Sequence, residues 1–370
     1  MRIAVDARPL CVPTFGIGRY TQAILKRLVN RKGLEWFLYA DRPLLHDLSG
    51  PDNVTVRTYP AANRVLSLFR TQWQFARWAE RDEVDVFWSP RHHLPLSLSK
   101  QITTVVTIHD LVWRHYPDTM LLANRVVEQL LMPPSLRKAN AIICVSEATR
   151  QDLARLYPGV REKSVTIPQA AEPRANTIAD QADRYFLFVG TLEPRKNLAR
   201  LLEAFAQARA RGLDDCRLVI AGAQGWMGAI SDEVKRLGIG DSVDVLGHVE
   251  EEVLHARLAG AIALCMPSLY EGFGLPAVEA MQYGTPVIGS NVASIPEVVG
   301  EGGVLVDPYA VDEIATALLA LASDPVLCET LGEKARQQAA TYSWDTSAAL
   351  TLRVLTQTAN ATGNQNTTQT

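Results

Sequence analysis

The segment AIALCMPSLYEGFGLPAVEAMQYGTPVIGS, residues 261–290, predicts a strand, a turn, a helix and a second strand in close succession. An apolar run of strand length ends at Met266, and glycines and prolines from Pro267 to Pro276 interrupt the chain before helical character resumes. Strands that alternate with helices are typical of a parallel α/β sheet. We therefore expect the turn to lie at the carboxyl edge of such a sheet.

The turn has the features of an anion site. Pro276 suits the first turn of a helix, so the backbone N–H groups of residues 272–275 are expected to point at an anion, aided by the helix dipole. Glu271 precedes the turn, and Glu279 lies about two helical turns further along. Carboxylates accept hydrogen bonds from sugar hydroxyls. The two glutamates either bind a phosphorylated sugar or are solvated residues at helix ends.

The sequence Glu271-Gly-Phe-Gly-Leu-Pro-Ala-Val-Glu279 resembles the motif of two glutamates separated by seven residues in retaining family-four glycosyltransferases of the GT-B type. The resemblance implies an α/β fold with two Rossmann-like, doubly wound domains facing across a cleft. It also implies that Glu279 binds the ribose and Glu271 the donor sugar. The residues expected at the donor diphosphate are Gly272, Phe273, Gly274 and Leu275.

Length and composition predict two ordinary domains. The chain has 370 residues, 47% of them hydrophobic, and a formal net charge of −3. Because nucleic-acid-binding proteins usually carry a basic excess, we expect no nucleic-acid partner. The five cysteines are odd in number and scattered, which favours a reducing compartment. Charges near the amino terminus argue against a signal peptide, and no apolar run reaches the about 18 residues that span a bilayer, so we expect a cytoplasmic protein.

Short apolar runs alternate with amphipathic stretches, which predicts parallel sheets covered by helices. In the first half the predicted strands are residues 3–5, 36–39, 54–59, 84–88, 103–108 and 141–145, with another near 164. In the second half they are residues 185–189, 217–221, 243–246, 262–266, 287–289 and 304–306. Loops follow at residues 222–226 and 246–249.

These runs divide the chain into domains. We expect an acceptor-side domain over residues 1–173 and a nucleotide-sugar domain over residues 174–343, joined by a polar linker. By resemblance, a helix at residues 344–357 returns to the first domain. The polar tail, residues 358–370, is expected to be disordered.

The sequence Phe15-Gly16-Ile17-Gly18-Arg19-Tyr20 predicts a glycine turn that opens a helix from Tyr20 to Leu28. A short turn between a strand and a helix needs glycine for steric reasons, so this pattern alone assigns no function. It lacks the third glycine of the dinucleotide fingerprint, which disfavours a nicotinamide enzyme. By resemblance, Gly16 and Gly18, with Arg19 beside them, reach towards the donor diphosphate and the acceptor.

Adjacent cations follow the first predicted strand of the second half. Arg195 and Lys196 stand where a helix begins, and cations there oppose the helix dipole and indicate an anionic ligand. Arginine binds phosphate through a bidentate fork, and lysine adds a point charge. A solvated basic turn is the alternative. By resemblance, Gly190, Arg195 and Lys196 hold the nucleotide diphosphate.

Four further residues enter through the resemblance. His109 ends a predicted strand, where a single histidine is usually structural, and the resemblance implies that it contacts the donor sugar. His248 and Val249 would frame the base. Ser146 is either a family feature or a helix N-cap. At Gln169 the chain reads QAAE where the family often has Asn-Gly-Val-Asp, so no contact is inferred there.

Residues 64–81, RVLSLFRTQWQFARWAER, predict a helix with Leu66, Phe69, Trp73 and Ala76 on one face. Such a stripe is more often part of a core. Arginine and tryptophan together also suit a membrane interface, as an enzyme with a lipid-linked acceptor requires. Peripheral contact with the inner face of a membrane is therefore the alternative.

Together, the patterns and the resemblance predict a retaining glycosyltransferase with His109, Glu271, Arg195 and Lys196 as catalytic residues. We expect it to move a hexose, mannose or a deoxyhexose such as rhamnose, from a nucleoside diphosphate sugar. The expected acceptor is a lipid-linked glycan or an oligosaccharide in surface polysaccharide synthesis. GDP-mannose is favoured by resemblance to bacterial mannosyl- and rhamnosyltransferases, and UDP-glucose stays open.

Two alternatives remain, a GT-B-like nucleotide-sugar epimerase and a non-catalytic nucleotide-sugar-binding partner. We expect no cofactor and no metal. Neither Asp82-Glu-Val-Asp85 nor Asp241-Ser-Val-Asp244 has the Asp-x-Asp spacing of sugar-transferase metal sites, and the cationic pair already neutralises a diphosphate.

Overall fold

The computed structural model describes residues 1–12, 16–45, 48, 52–59, 64–172, 177, 179, 184–223 and 230–367. The chain divides into two compact units. Unit 1 comprises Met1–Trp113, Met120–Gln169 and the chain from Trp344 onward, and unit 2 comprises Arg114–Thr119 and Ala170–Ser343. The division after Gln169 precedes the expected boundary by four residues, and most of the expected linker lies outside the described residues.

Unit 1 is built on a parallel sheet, which has seven strands within the described residues in the order β3-β2-β1-β4-β5-β6-β7. Their bounds are β1 Arg2–Asp6, β2 Glu35–Ala40, β3 Val54–Thr58, β4 Val86–Ser89, β5 Thr103–Ile108, β6 Ala141–Cys144 and β7 Ser164–Thr166. The helices of this half of the chain are α1 Ile17–Leu28, α2 Arg64–Arg81, α3 Val112–His115, α4 Leu122–Lys138 and α5 Glu147–Leu156. The predicted strands are confirmed to within two residues at most ends, because central strands buried on both faces read as continuous apolar runs.

Unit 2 repeats this plan with six parallel strands among its described residues, in the order β10-β9-β8-β11-β12-β13. They are β8 Tyr185–Val189, β9 Arg217–Ala221, β10 Val243–Gly247, β11 Ala263–Met266, β12 Val287–Ser290 and β13 Gly303–Val306. The helices are α6 Leu198–Ala210, α7 Ile230–Arg236, α8 Glu251–Gly260, α9 Leu275–Gln282, α10 Ile295–Val299, α11 Val311–Ser323 and α12 Pro325–Ala339. The core of unit 2 lies between the sheet and α6 and α11.

The last helix, α13 Trp344–Thr367, belongs to unit 1. Asp345 accepts a hydrogen bond of 2.7 Å from Arg27 of α1, and the Ser347 hydroxyl donates to the Pro168 carbonyl over 2.6 Å. The expected disorder from residue 358 is wrong as far as Thr367, where the chain is helical. Threonine hydroxyls there bond to carbonyls one turn back, as Thr358 does to Val354, and so continue a helix whose first turns are packed. Residues 368–370 lie outside the described residues.

Each sheet has one point where the strand order reverses, and parallel α/β sheets bind ligands at the carboxyl edge there. In unit 1 this point lies between β1 and β4, and in unit 2 between β8 and β11. The segment of residues 261–290 supplies β11, α9 and β12. It therefore places its turn beside the reversal point of unit 2.

Helix α2 has the predicted bounds, and its buried face agrees with the prediction at Ala76 but not at Trp73. Phe75, Ala76 and Ala79 are buried, whereas Trp73 is 71% exposed. Two residues along a helix turn the side chain by about 200°, so Trp73 and Phe75 face nearly opposite ways. The side chains of Leu66 and Phe69 lie outside the described residues. The expected core role of Trp73 is therefore wrong.

Candidate functional site

The turn after β8 carries the two predicted cations. It contains a short 3-10 turn, Pro194–Lys196, and then Asn197, whose backbone is left-handed at φ 61°. The Asn197 side-chain amide donates to the carbonyls of Pro267 and Pro308, over 2.9 and 2.6 Å. These two bonds tie the turn to the segments after β11 and β13. Arg195 and Lys196 are thus held at the carboxyl edge of the unit 2 sheet.

Glu271 and the two cations form one ion cluster. Lys196 Nζ donates to Glu271 Oε1 over 2.6 Å, and Arg195 Nη1 lies 3.1 Å from Glu271 Oε2. Arg195 also contacts the Tyr270 carbonyl and the Glu193 carboxylate, each at 3.1 Å. The sequence predicted separate roles for Glu271 and the cations, and the fold brings them together.

The cluster is buried and charged. Lys196 and Glu271 are each 8% exposed. Burial alone would raise the pKa of Glu271, but Lys196 and Arg195 outweigh it and lower that pKa to about 2. Glu271 is therefore an anion at neutral pH. The Lys196 ammonium has three protons, and Glu271 is its one hydrogen-bond partner among the described residues, so two protons can meet a ligand.

The loop after Glu271 is fixed by hydrogen bonds to its carbonyl groups. The Ser294 hydroxyl lies 2.9 Å from the Glu271 carbonyl and 2.8 Å from the Phe273 carbonyl. Gly274 caps α9 at φ 108°, and a Cβ there would lie 3.0 Å from Ile295. Within the described part of the chain, the amides of Phe273, Gly274 and Leu275 have no hydrogen-bond acceptor. These amides stand at the start of a helix, where backbone N–H groups are available to an anion, and their role at a diphosphate stays a prediction.

Two glycines pack against each other behind Lys196. A Cβ on Gly222, whose φ is +154°, would lie 2.0 Å from the Gly190 carbonyl oxygen. A Cβ on Gly190 would meet the Lys196 side chain at 3.5 Å. Gly190 therefore sits directly against the ion cluster. The rest of the glycine loop, from residue 224 on, lies outside the described residues.

The predicted ribose and base residues occupy two places. Glu279 is buried in α9, about one helical turn after Leu275. His248 is exposed and Val249 half-buried after β10, the edge strand of the sheet. Glu279 therefore lies close to the turn. His248 and Val249 follow β10, which is two strands away from β8 in the sheet. Their roles stay predictions.

In unit 1, the predicted glycine turn is partly helical. Helix α1 begins at Ile17, so Gly18 lies inside it, and Gly16 precedes it at φ 49°. The helix starts three residues earlier than predicted because the glycine weakens a helix by only about 1 kcal/mol and the amphipathic pattern continues through it. Phe15 lies outside the described residues.

His109 follows β5, and both of its ring nitrogens are occupied. Nε2 donates to the Pro90 carbonyl over 2.8 Å, and the Gln169 amide donates to Nδ1 over 3.1 Å. Burial and the neighbouring His92 lower the pKa of His109 to about 3. A neutral ring with both nitrogens engaged does not act as an acid or a base. Direct contact with a sugar requires the Gln169 amide to move aside.

A histidine cluster beside His109 was not predicted from the sequence. His92 Nε2 accepts from the His109 backbone amide over 3.0 Å, while its Nδ1 lies 3.2 Å from Glu128. His93 Nε2 also lies 3.0 Å from Glu128. Burial would raise the pKa of Glu128, but the two histidines hold it below its usual value. The run Arg91-His92-His93 directly after a buried strand was the available signal.

Of the two possibilities for Ser146, the structure shows the N-cap. Ser146 is the N-cap of α5, since its hydroxyl accepts from the Thr149 amide over 3.0 Å. The five cysteines are free. Among the described residues, no group of three or more His, Cys, Asp or Glu side chains is arranged to hold a metal ion.

Two family profiles match the chain in succession. Glycosyltransferase Family 4 covers residues 15–174, and Glycosyl transferases group 1 covers residues 170–338. The chain is 31% identical to the O-antigen chain mannosyltransferase B of Escherichia coli over 95% of its length and 98% of that protein. It is 29% identical to the O-antigen chain mannosyltransferase RfbU of Salmonella typhimurium over 59% of each chain.

Solved structures share the fold at lower identity. A sucrose-phosphate synthase from Thermosynechococcus elongatus superposes with a TM-score of 0.74 at 22% identity, covering 97% of this chain and 99% of that one. WaaG, a glycosyltransferase involved in lipopolysaccharide biosynthesis, gives 0.73 at 15% identity, covering 96% and 100%. At these identities the similarity shows the fold alone.

Proposed function

The chain belongs to the group 1, family-four glycosyltransferases of the GT-B fold, and from that premise we propose that it is a retaining mannosyltransferase of O-antigen synthesis. The observation that carries the proposal is the buried cluster of Lys196, Arg195 and Glu271 beside the loop amides of α9. The names of the relatives from Escherichia coli and Salmonella support the sugar and the product class.

In the proposed reaction, the cluster acts on the leaving group. As the bond from the sugar to the nucleoside diphosphate breaks, negative charge grows on the phosphate oxygens. The two unused Lys196 protons, the Arg195 guanidinium and the amides of Phe273, Gly274 and Leu275 stabilise that charge from fixed positions. Glu271 holds both cations in place and accepts a hydrogen bond from the transferring sugar. Glu279 binds the ribose.

The donor we propose is GDP-mannose, with UDP-glucose as the competitor, and the acceptor is a lipid-linked glycan or an oligosaccharide. Gly16, Gly18 and Gly190 would lie against the diphosphate, and His248 and Val249 against the base. His109 would orient the sugar after the Gln169 amide moves away from its Nδ1 atom. An epimerase or a non-catalytic partner is the competing function, although a non-catalytic protein would have no need of the charged cluster.

The test is a donor panel with product analysis. The protein is incubated with GDP-, UDP- and ADP-sugars and a lipid-linked or oligosaccharide acceptor, and products are resolved by mass spectrometry and anomeric NMR. We expect a new α-mannoside and release of GDP. Free sugar with UDP would indicate the epimerase, an inverted anomer would contradict retention, and the absence of turnover with every donor would contradict the enzyme.

We predict that the two glutamates separate kinetically. Glu279→Gln should raise the donor KM about tenfold with little change in turnover, because a ribose contact is equal in ground and transition states. Glu271→Gln should lower turnover with a smaller effect on nucleotide affinity, because its partners take part in transfer. Steady-state kinetics and calorimetric titration with nucleoside diphosphate measure both. Equal effects of the two changes on KM would contradict the assigned roles.

We predict that activity needs no divalent metal, because Arg195 and Lys196 supply positive charge to the diphosphate. Treatment with EDTA followed by gel filtration should leave turnover unchanged, and added magnesium or manganese should not raise it. A chelator-sensitive sugar transferase serves as the assay control. Loss of activity that magnesium restores would refute this prediction.

We also propose peripheral contact with an anionic membrane. Arg70, Arg77 and Trp73 of α2 are exposed, and α4 exposes Leu122 and Leu130, at 72% and 67%, along one face. No single helix among the described residues is long and apolar enough to cross a bilayer, and one bent pair, Val311–Ser323 with Pro325–Thr362, passes by length and composition only.

The charge-reversed variant Arg70→Glu/Arg77→Glu should sediment with anionic vesicles several-fold less than wild type, since each basic residue near the surface contributes about 1 kcal/mol. Arg31→Glu/Lys32→Glu, which reverses two exposed charges after α1, is the matched control. Wild-type protein that stays in the supernatant at low salt would exclude membrane contact.

A further inference from the structure

Arg91 follows β4 at the point where the strand order of unit 1 reverses. It is half-buried, and its guanidinium makes no hydrogen bond or ion pair with any described residue. An arginine side chain has five N–H donors and stays protonated in proteins. A charge that is partly withdrawn from water and has no partner is costly, so this position calls for an explanation.

The carboxylates near Arg91 are already bound to other donors. Asp6 accepts two hydrogen bonds from the Arg8 guanidinium, at 2.6 and 2.8 Å, and Asp41 accepts from Ser67 over 2.6 Å. Glu128 is engaged by the two histidines of the cluster. Burial and the nearby Arg8 charge lower the pKa of Arg91, whereas Asp6, Glu128 and Asp41 compensate only in part. Among the described residues of unit 1, the positive charge of Arg91 is therefore not paired with any carboxylate.

A second polar group close to Arg91 in sequence is also unused. His93 is 4% exposed, and its Nδ1 has no hydrogen-bond partner among the described residues. Because Nε2 donates to Glu128, Nδ1 carries the lone pair and can accept from a hydroxyl. The turn after β4 therefore holds a guanidinium, a group that matches phosphate, and two residues later a buried imidazole nitrogen, and neither has a hydrogen-bond partner among the described residues.

We propose that the carboxyl edge between β1 and β4 is a second anion site, in which Arg91 binds a phosphate group carried by the acceptor. The inference rests on the proposed glycosyltransferase function, whose donor diphosphate is assigned to unit 2. The acceptor is accordingly a glycan linked through phosphate. A planar guanidinium binds two phosphate oxygens at once, so a phosphate uses the donors that the protein leaves unpaired.

The test observes binding in unit 1 directly. Full-length protein with ¹⁵N-labelled histidine is titrated with inorganic pyrophosphate, and the imidazole signals of His92 and His93 are followed by NMR. Because these signals report on the turn after β4, binding in unit 2 does not obscure them. We expect saturable shifts in wild-type protein, and none with sodium acetate at equal ionic strength.

The key variant is Arg91→Gln, which removes the charge and keeps the length of the side chain. It should weaken pyrophosphate binding roughly 10- to 100-fold, the range for a hydrogen-bonded charged pair. Arg31→Gln, which removes an exposed charge after α1, should bind as wild type. If Arg91→Gln disturbs the fold, Arg91→Lys keeps the charge without the fork and should still weaken binding several-fold. No saturable shift in wild type, or equal affinity in Arg91→Gln and wild type, overturns the proposal.

Two further probes identify the source of the phosphate. Geranyl diphosphate stands for a lipid-linked acceptor, and glucose 1-phosphate for a phosphorylated sugar; the source is the one that shifts the His93 signal at the lower concentration. The outcome is separable from that of the proposed function. Phosphate binding without sugar transfer refutes the transferase and keeps the site, whereas transfer to a phosphate-linked acceptor with equal KM in wild type and Arg91→Gln refutes the site alone.

Discussion

Replacement of Lys196 by alanine is expected to lower turnover by about 100-fold or more, by analogy with removal of one preorganised donor to a developing negative charge. Lys196 Nζ lies 2.6 Å from Glu271 and keeps two protons for the diphosphate. The same change leaves Glu271 buried with one cation fewer, which should destabilise the protein by about 3 to 5 kcal/mol. Steady-state kinetics and urea unfolding measure the two effects.

Comparison variants separate catalysis from stability. Arg195→Ala should lower turnover to a similar degree and destabilise less, because the bond between Lys196 and Glu271 remains. Lys196→Ala combined with Glu271→Gln should recover stability without turnover, since no unpaired charge stays buried. Lys235→Ala, at an exposed position of α7, is the control. Full turnover in Lys196→Ala would remove the basis of the proposed mechanism.

The pH dependence of stability should change in Lys196→Ala. In wild type the pKa of Glu271 is about 2, below its ordinary value of 4.5. A lowered pKa contributes stability that is complete above the ordinary value and is lost as the pH falls from there towards 2. In Lys196→Ala this contribution should shrink, so the stability difference between variant and wild type should narrow below pH 4.5. A constant difference across this range would contradict the ion cluster.

Replacement of Gly222 by alanine is expected to destabilise unit 2 by about 3 kcal/mol or more, from strained backbone and overpacking together. The added Cβ would stand 2.0 Å from the Gly190 carbonyl, at a φ that side chains rarely adopt. Relief of the clash must move Gly190, which lies against Lys196, so affinity for the nucleoside diphosphate should fall as well. Urea unfolding and calorimetric titration measure both effects.

Gly240 provides the matched control for this change. A Cβ at Gly240 meets no atom within 4 Å, and its backbone is not in the left-handed region. Gly240→Ala should therefore stay within about 1 kcal/mol of wild type. If Gly222→Ala unfolds at the wild-type urea concentration, the close contact between the two glycines is not present in solution.

The fold could be predicted from the sequence because its signals are local. The apolar runs of β5, β8 and β9 have the predicted bounds, since a strand buried on both faces is a continuous apolar run. The turn after Glu271 was predicted for a similar reason, as Gly274 and Pro276 restrict the backbone of their own neighbours. The position of this turn at the carboxyl edge of the sheet follows from the order of strand, turn and helix along the chain.

Only the tertiary structure decided which side chains meet. Glu271 bonds to Lys196 across 75 residues of chain, and Gln169 occupies His109 across 60. Such contacts depend on which strands are neighbours in the sheet, and a local sequence pattern does not predict the order of the strands. The exposure of Trp73 and the unpaired state of Arg91 likewise follow from what packs around them. The sequence by itself therefore determined the elements and the place of the turn, while the pairing of charges, which sets their chemistry, needed the assembled sheets.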